Sequence, residues 1–383
     1  MRDRNPIRVV VWGLDPIGLA MAQLVWRRSG LEPVGAICSS PARVGQDLGH
    51  LIGFGEHFGV TVHQDPAEVL NTSRPDVTLI ASGSSVDEVG PNILQAMEAG
   101  SNVICFAPEM TYPWATRSDL AESLDELAHA HGVTVLGTGV NPGFVMDTLV
   151  LALTGCCMDV DRIRASRSVD LAPLGEQVAR SYGVGMSPSE FSEAEKRGRI
   201  APHSGLEQSI HLVADALGWT LEKVEHDRRP ILAESRLQMG GLRVDPGQVA
   251  GCLDAAIGYV DGLARIVLEH PQTVIGVDTK VIQTGDIIEI EGKPSIRMAI
   301  QPEIAALEGS AAIAVNMIPA VLLSGPGVKT MADMPLPRAV LGDLRDMMDM
   351  RGPTVEEELA RGWHEKGLGG HEEGVTGFPG ETL

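Results

Sequence analysis

Positive charge is what this chain most lacks. Its 383 residues include 30 Lys or Arg against 51 Asp or Glu, a formal net charge of −21. Binding to a phosphate backbone rests on clustered cations, so nucleic acid is excluded as a partner and a small molecule is favoured. Long apolar runs are also missing: the stretch 311–323 is broken by Asn316 and Pro319 and falls short of a membrane span. The opening Met1-Arg2-Asp3-Arg4-Asn5-Pro6 leads into a strand pattern without an apolar signal core. A soluble cytoplasmic protein with no membrane partner is therefore expected. Five cysteines, among them the vicinal pair Cys156-Cys157, do not make a disulfide framework at this length, and reduced, mostly buried thiols are expected. There is no internal repeat. No His/Cys/Asp set, His129 and His131 included, has metal-ligand spacing, so no metal is expected.

Apolar residues are plentiful, 44% of the chain, and a chain this long suits two domains. Across the first 140 residues, short β-branched runs alternate with amphipathic segments. The runs 8–12, 33–38, 60–63, 77–81, 102–106 and 133–136 read as strands with helices between most of them. That order predicts an α/β fold with a Rossmann-type doubly wound parallel sheet. Ile17, Met21, Leu24 and Val25 form the sheet-facing stripe of the first helix.

After Phe144 the rhythm changes. The segments 161–171, 221–234, 249–268 and 286–302 alternate, while 188–197 and 205–217 look helical, which predicts a second α/β domain on an open mixed sheet. The expected division is an NAD(P)-binding domain over 1–145, a substrate and dimerisation domain over 146–308, a helical segment over 309–345 returning to the first domain, and an acidic glycine-rich tail over 346–383. One face of the second sheet lacks enough helix to cover it. Uncovered apolar sheet faces commonly pair, so a homodimer is expected.

Val9-Val10-Val11-Trp12-Gly13-Leu14-Asp15-Pro16-Ile17-Gly18 is a strand, a glycine turn and a helix start, close to the dinucleotide fingerprint. Gly13 supplies the tight turn and Gly18 the close helix–strand contact, with Leu14, Asp15, Pro16 and Ile17 lining the same cradle. Asp15 stands where a middle glycine would let the phosphates approach. At the end of the second strand an acidic ribose ligand is expected for the plain dinucleotide, but Ser39, Ser40 and, shortly after, Arg43 are found there. Hydroxyls and a guanidinium suit a 2′-phosphate, so NADP is expected, with NAD possible; the plainer alternative leaves Arg43 facing solvent. Ser82, directly after the fourth strand, is expected beside the cofactor too.

Two further elements follow predicted strands: Glu109-Met110-Thr111-Tyr112-Pro113-Trp114, and Gly137-Thr138-Gly139-Val140-Asn141-Pro142-Gly143-Phe144. Asn141-Pro142 has the form of a helix start, Asn as cap and Pro in the first turn. With the glycine turn, the segment 200–205 leading into a helix, and Ala314-Val315-Asn316-Met317-Ile318-Pro319, these elements resemble the 2,4-diaminopentanoate dehydrogenases and related native amine dehydrogenases. The resemblance spans residues 7–340, and the nucleotide domain is similar to that of dihydrodipicolinate reductases.

The resemblance implies reversible oxidative deamination of an amine to a ketone, or reductive amination by ammonia with a reduced nicotinamide. It places Gly139 and Asn141 at the cofactor, Asn141, Pro142, Phe144 and His203 at the substrate, and Asn316 at the nicotinamide side. Glu109 is the expected catalytic group: a carboxylate can hold a cationic iminium and shuttle the protons of ammonia addition and water loss. Many relatives carry two adjacent carboxylates here, where this chain has Pro108-Glu109. The plainer role for Glu109 is to brace its loop. A substrate carboxylate would need an anchor, for which Arg167, Arg199 and Arg236 are equal candidates. Two alternatives stand beside the dehydrogenase: a cyclic imine or enamine reductase, whose paired-histidine and lysine element is absent, and a non-catalytic NAD(P)-binding sensor.

Overall fold

The computed structural model describes residues 5–55, 57–200, 204–275 and 284–349. In the first domain β1 (Ile7–Trp12), α1 (Pro16–Arg27), β2 (Leu31–Ile37), α2 (Leu48–Leu51), β3 (Val62–His63), α3 (Pro66–Ser73), β4 (Val77–Ile80), α4 (Val86–Glu98), β5 (Asn102–Cys105), α5 (Trp114–His131) and β6 (Thr134–Gly137) follow one another. The strands lie all parallel in the order β3-β2-β1-β4-β5-β6, the doubly wound arrangement expected. Val9, Val10 and Val11 are buried in succession, as a central parallel strand covered by helices on both faces requires. On α1 the deepest positions are Gly18, Met21, Ala22 and Val25, while Ile17 and Leu24 are only half-buried. The two smallest residues turn inward because the helix lies too close to the sheet for larger ones.

The second domain comprises α6 (Thr148–Thr154), β7 (Asp159–Asp170), α7 (Glu176–Ser181), α8 (Pro188–Lys196), α9 (Leu206–Ala216), β8 (Lys223–Leu232), β9 (Leu237–Met239), β10 (Leu242–Val244), β11 (Val249–Val260), β12 (Leu263–Thr273), β13 (Gly285–Lys293) and β14 (Ile296–Ile300). Its large sheet runs β14-β13-β7-β12-β11-β8 and is mixed, because β7 and β12 pair parallel and the rest antiparallel. The segments 249–268 and 286–302 each contain a hairpin rather than one long strand. Asp261 and Gly262 both adopt positive φ, the two-residue turn that reverses a chain between twisted strands.

One face of this sheet buries Ile163, Ala165, Ile266, Leu268, Ile288 and Ile290 in the same core as Ile210 and Val213 of α9. The other face departs from the apolar surface expected. Arg164 pairs with Glu269 at 2.6 Å and Arg297 with Glu289 at 3.0 Å, with half-buried Ile257 and Ile287 among them.

The chain then returns to the first domain. α10 (Ala306–Asn316) packs on α1, α11 (Ile318–Leu323) lies under β5 and β6, and β15 (Gly327–Lys329) adds a seventh parallel strand beside β6. Three residues are too few for periodicity to reveal a strand. Ala306–Leu323 is, by length and composition alone, apolar enough to cross a membrane, which corrects the shorter run expected; half of it is buried in the fold. α12 (Arg345–Asp349) ends the described part, and most of the tail expected over 346–383 lies outside the described residues. All five cysteines are free: Cys38, Cys105 and Cys252 are buried, Cys156 is exposed and Cys157 half-buried.

Candidate active site

The glycine turn after β1 is kept bare by its own backbone. Gly13 has φ +96°, and a Cβ there would sit 2.6 Å from the Ala81 carbonyl oxygen. A Cβ on Gly18 would lie 1.8 Å from the Gly13 carbonyl oxygen. Asp15 occupies the N-cap of α1 but accepts no backbone N–H, so the amides of the first turn, at Ile17 and Gly18, are not spent on it. A bare glycine cradle opening onto unspent helix amides is what a dinucleotide pyrophosphate requires, and the residues present fit that group. Leu14 is buried, while Asp15 and Pro16 face solvent. Arg43 donates to the Leu14 carbonyl, and its Nη1 lies 3.7 Å from Asp15 Oδ1. It therefore sits against the turn rather than in open solvent. Ser39 is exposed and Ser40 half-buried at the end of β2, where the Ser40 carbonyl accepts from Arg43 N–H at 2.9 Å. Ser82, half-buried after β4, hydrogen-bonds Asn92 at 3.4 Å.

Glu109 stands on a single 3-10 turn, Pro108–Thr111, after β5. It is half-buried. Its Oε2 accepts from Val86 N–H at the start of α4, 2.9 Å away, and its own N–H reaches the Ser84 carbonyl at 3.4 Å. One carboxylate oxygen thus braces two loops against each other. Among the described residues the other accepts nothing, so bracing and proton transfer do not compete for the same atom.

The turn after β6 touches that element directly. A Cβ on Gly137 would lie 2.0 Å from the Met110 carbonyl oxygen, so only glycine lets the 3-10 turn close onto the end of β6. Gly139 faces the Phe106 ring, with 3.2 Å left for a Cβ, and Gly143 takes φ +116° against the Gly139 amide. Phe144 is half-buried and packs on the main core. Asn141 is not a helix cap. The chain keeps turning through 141–147, Val145 N–H bonds the Val140 carbonyl at 2.9 Å, and α6 begins only at Thr148 with Asp147 as its cap.

Asp147 is the residue that sequence reasoning missed. It is fully buried; Oδ2 accepts from Gly143 N–H and from Ser209 Oγ, each at 2.7 Å, and Oδ1 from Thr148 N–H at 2.5 Å. Burial pushes its carboxyl above the usual range, and these hydrogen bonds oppose the shift. Ser209 belongs to α9, whose N-cap Gly205 has φ +109° and could not carry a Cβ within 2.4 Å of Pro142 Cδ. The Asp-Thr pair before the apolar run 149–153 was the available signal for a cap. α9 also packs on the Glu109 turn, so one helix of the second domain touches both motifs.

Other expected residues are not brought to this place. α10 meets the turn through Ser310, whose Oγ accepts from Val140 N–H at 3.1 Å. Asn316 is six residues further along, about 9 Å down the helix axis, and lines a separate cavity with Pro335, Pro337 and Arg338. The helix thus brings residue 310 to the turn and carries residue 316 away from it. His203 lies outside the described residues. Of the candidate anchors, Arg167 is buried and committed to Asp286 at 2.6 Å and to the Ile304 carbonyl, Arg236 pairs with Asp245 on the surface, and Arg199 is exposed.

A family model described as the 2,4-diaminopentanoate dehydrogenase C-terminal domain matches residues 144–350. A 2,4-diaminopentanoate dehydrogenase from Acetoanaerobium sticklandii is 36% identical over 360 residues, 91% of this chain and 99% of that protein. An amine dehydrogenase from Streptomyces virginiae is 26% identical over 355 residues, 87% and 98% of the two chains. Among solved structures, an amine dehydrogenase from Mycobacterium smegmatis superposes with a TM-score of 0.76 at 28% identity, over 89% of this chain and 100% of that one.

Proposed function

The chain belongs to the 2,4-diaminopentanoate dehydrogenase family, and from that premise we infer that it is a nicotinamide-dependent amine dehydrogenase acting on CH–NH2 donors. The observation that carries the reading is the direct contact between the Glu109 turn and Gly137, at the carboxyl ends of adjacent parallel strands, the edge where such sheets take ligands. When bound, the nicotinamide accepts hydride from the amine carbon or returns it. The chain's own residues hold and orient. The amides of α1 would hold the pyrophosphate, and Gly139 against the Phe106 ring, with Phe144, would line the nicotinamide side. Removal of hydride from an amine carbon leaves a cationic iminium; water then adds and ammonia leaves, each with movement of a proton. Glu109 serves that step through Oε1, while Oε2 stays on Val86 and fixes the position of the side chain.

NADP is favoured over NAD because Ser39, Ser40 and Arg43 replace an acidic ribose ligand. A homodimer through the open sheet face rests on the half-buried Ile257 and Ile287 that lie there, and light scattering near the 40.7 kDa of one chain would rule it out. Five free cysteines support a reducing, cytoplasmic compartment. The deciding assay follows NADPH absorbance with ammonium and a panel of short ketones and 4-oxo amino acids. Ammonium-dependent oxidation is expected, and its absence across the panel rejects the activity.

A further inference from the structure

We infer that Asp15 is a specificity-determining residue: its carboxylate occupies the Arg43 guanidinium as an internal anion, which the 2′-phosphate of a cofactor must displace. This rests on the reading of the glycine turn as a nicotinamide dinucleotide site. Asp15 stands at the N-cap of α1, where aspartate ordinarily accepts a first-turn N–H, yet it makes no such bond. Its side chain is 79% exposed, and the carboxylate faces Arg43 Nη1 at 3.7 Å. The same Nη1 donates to the Leu14 carbonyl. That carbonyl, not Asp15, anchors Arg43 to the turn, so loss of the carboxylate frees the positive charge without releasing the side chain.

The direction of the effect follows from where each phosphate would lie. Asp15 borders the unspent α1 amides, so its charge repels the pyrophosphate of NADH and NADPH alike. Only NADPH carries a further phosphate, on the 2′ oxygen, for Arg43, and only for NADPH does Asp15 also withhold a cation. Neutralising Asp15 should therefore favour both cofactors, and NADPH more. An exposed ion pair is weak, so the differential gain is about two- to five-fold in affinity.

Nicotinamide fluorescence titrations of the full chain test this with Asp15→Asn, Arg43→Ala and the double variant. The expected result is that Asp15→Asn raises NADPH affinity about two- to five-fold more than NADH affinity, that the excess shrinks with added salt, and that it vanishes when Arg43 is Ala. An unmoved ratio, a shift toward NADH, or an undiminished excess in the double variant would overturn the inference while leaving the cofactor reading intact. A wild-type protein that binds neither dinucleotide would overturn both.

Discussion

Asp15 and Asp147 occupy the same kind of position, the residue before a helix at the end of a glycine turn, yet only Asp147 caps its helix. Asp147 is fully buried and accepts three hydrogen bonds, from its own turn, from α6 and from α9. Asp15 is exposed and leaves the amides of α1 unspent. The turn after β1 keeps polar capacity in reserve, as a ligand cradle must. The turn after β6 has used its capacity to fix itself between two domains. Glu109 lies between these cases, with one oxygen committed to Val86 and one that accepts nothing among the described residues.

That intermediate position yields the largest expected effect. Glu109→Gln keeps an oxygen for Val86 N–H but removes charge and basicity, so turnover should fall by roughly 10²–10⁴-fold, the range usual for a general acid or base. Cofactor affinity and melting temperature should barely move. A variant with half its activity, or one that melts early while turning over normally, would assign Glu109 to bracing alone.

The two turns themselves can be set against each other through a methyl group. Gly18→Ala pushes a Cβ into the Gly13 carbonyl at 1.8 Å, and Gly137→Ala pushes one into the Met110 carbonyl at 2.0 Å. Both should cost stability of about 1–3 kcal/mol by overpacking. Their functional losses should differ. Gly18→Ala should weaken cofactor binding tenfold or more, since the close helix–strand contact places the pyrophosphate amides. Gly137→Ala should leave cofactor affinity largely intact and lower turnover, because a displacement of about 1 Å in a catalytic group can cost on the order of 10²-fold. Equal loss of cofactor affinity in both variants would dissolve the distinction between a binding turn and a positioning turn.

This division was half legible in the sequence. Six of the seven strands of the nucleotide sheet stand out because β-branched runs bounded by helical patterns need only local periodicity. The Asp261-Gly262 hairpin carried a recognisable turn signal, but the apolar run on either side of it masked the reversal. Asn141-Pro142 drew the helix start six residues too early, since nothing local reveals that Gly143 folds back on Gly139. The bond from Val86 to Glu109 joins residues 23 apart, and that from Ser209 to Asp147 joins residues 62 apart. Such pairings are fixed by tertiary packing, so composition and spacing could nominate Glu109 but could not say which of its oxygens is free.

Ser209→Ala probes the spent turn at a smaller scale. It removes one of three donors to a buried carboxylate, so a loss of about 1–3 kcal/mol is expected in denaturant unfolding. If Asp147 positions the turn for the reaction, kcat per folded molecule should fall as well, and Ser209→Thr should restore both. A stability loss with unchanged kcat would leave Asp147 a purely structural cap.

The smallest effect concerns the outer side of that same helix α9. Glu207 accepts from His226 of β8 at 3.3 Å, and this hydrogen bond raises His226 above its ordinary 6.5 while lowering Glu207. A histidine whose folded value is raised contributes stability that is complete below 6.5 and is lost as pH rises through the folded value. The share of Glu207 is lost only as pH falls through the carboxylate range. His211, held down by burial, titrates in the opposite sense, but it is present in wild type and in His226→Gln alike and cancels in their difference. Both partners are partly exposed, so the pair is worth about 0.2–1 kcal/mol. The melting-temperature gap between wild type and His226→Gln should therefore be larger at about pH 5.5 than at about pH 8.5. A gap that is flat across those conditions, or wider at the alkaline end, would mean that the Glu207–His226 pair adds no pH-dependent stability between α9 and β8.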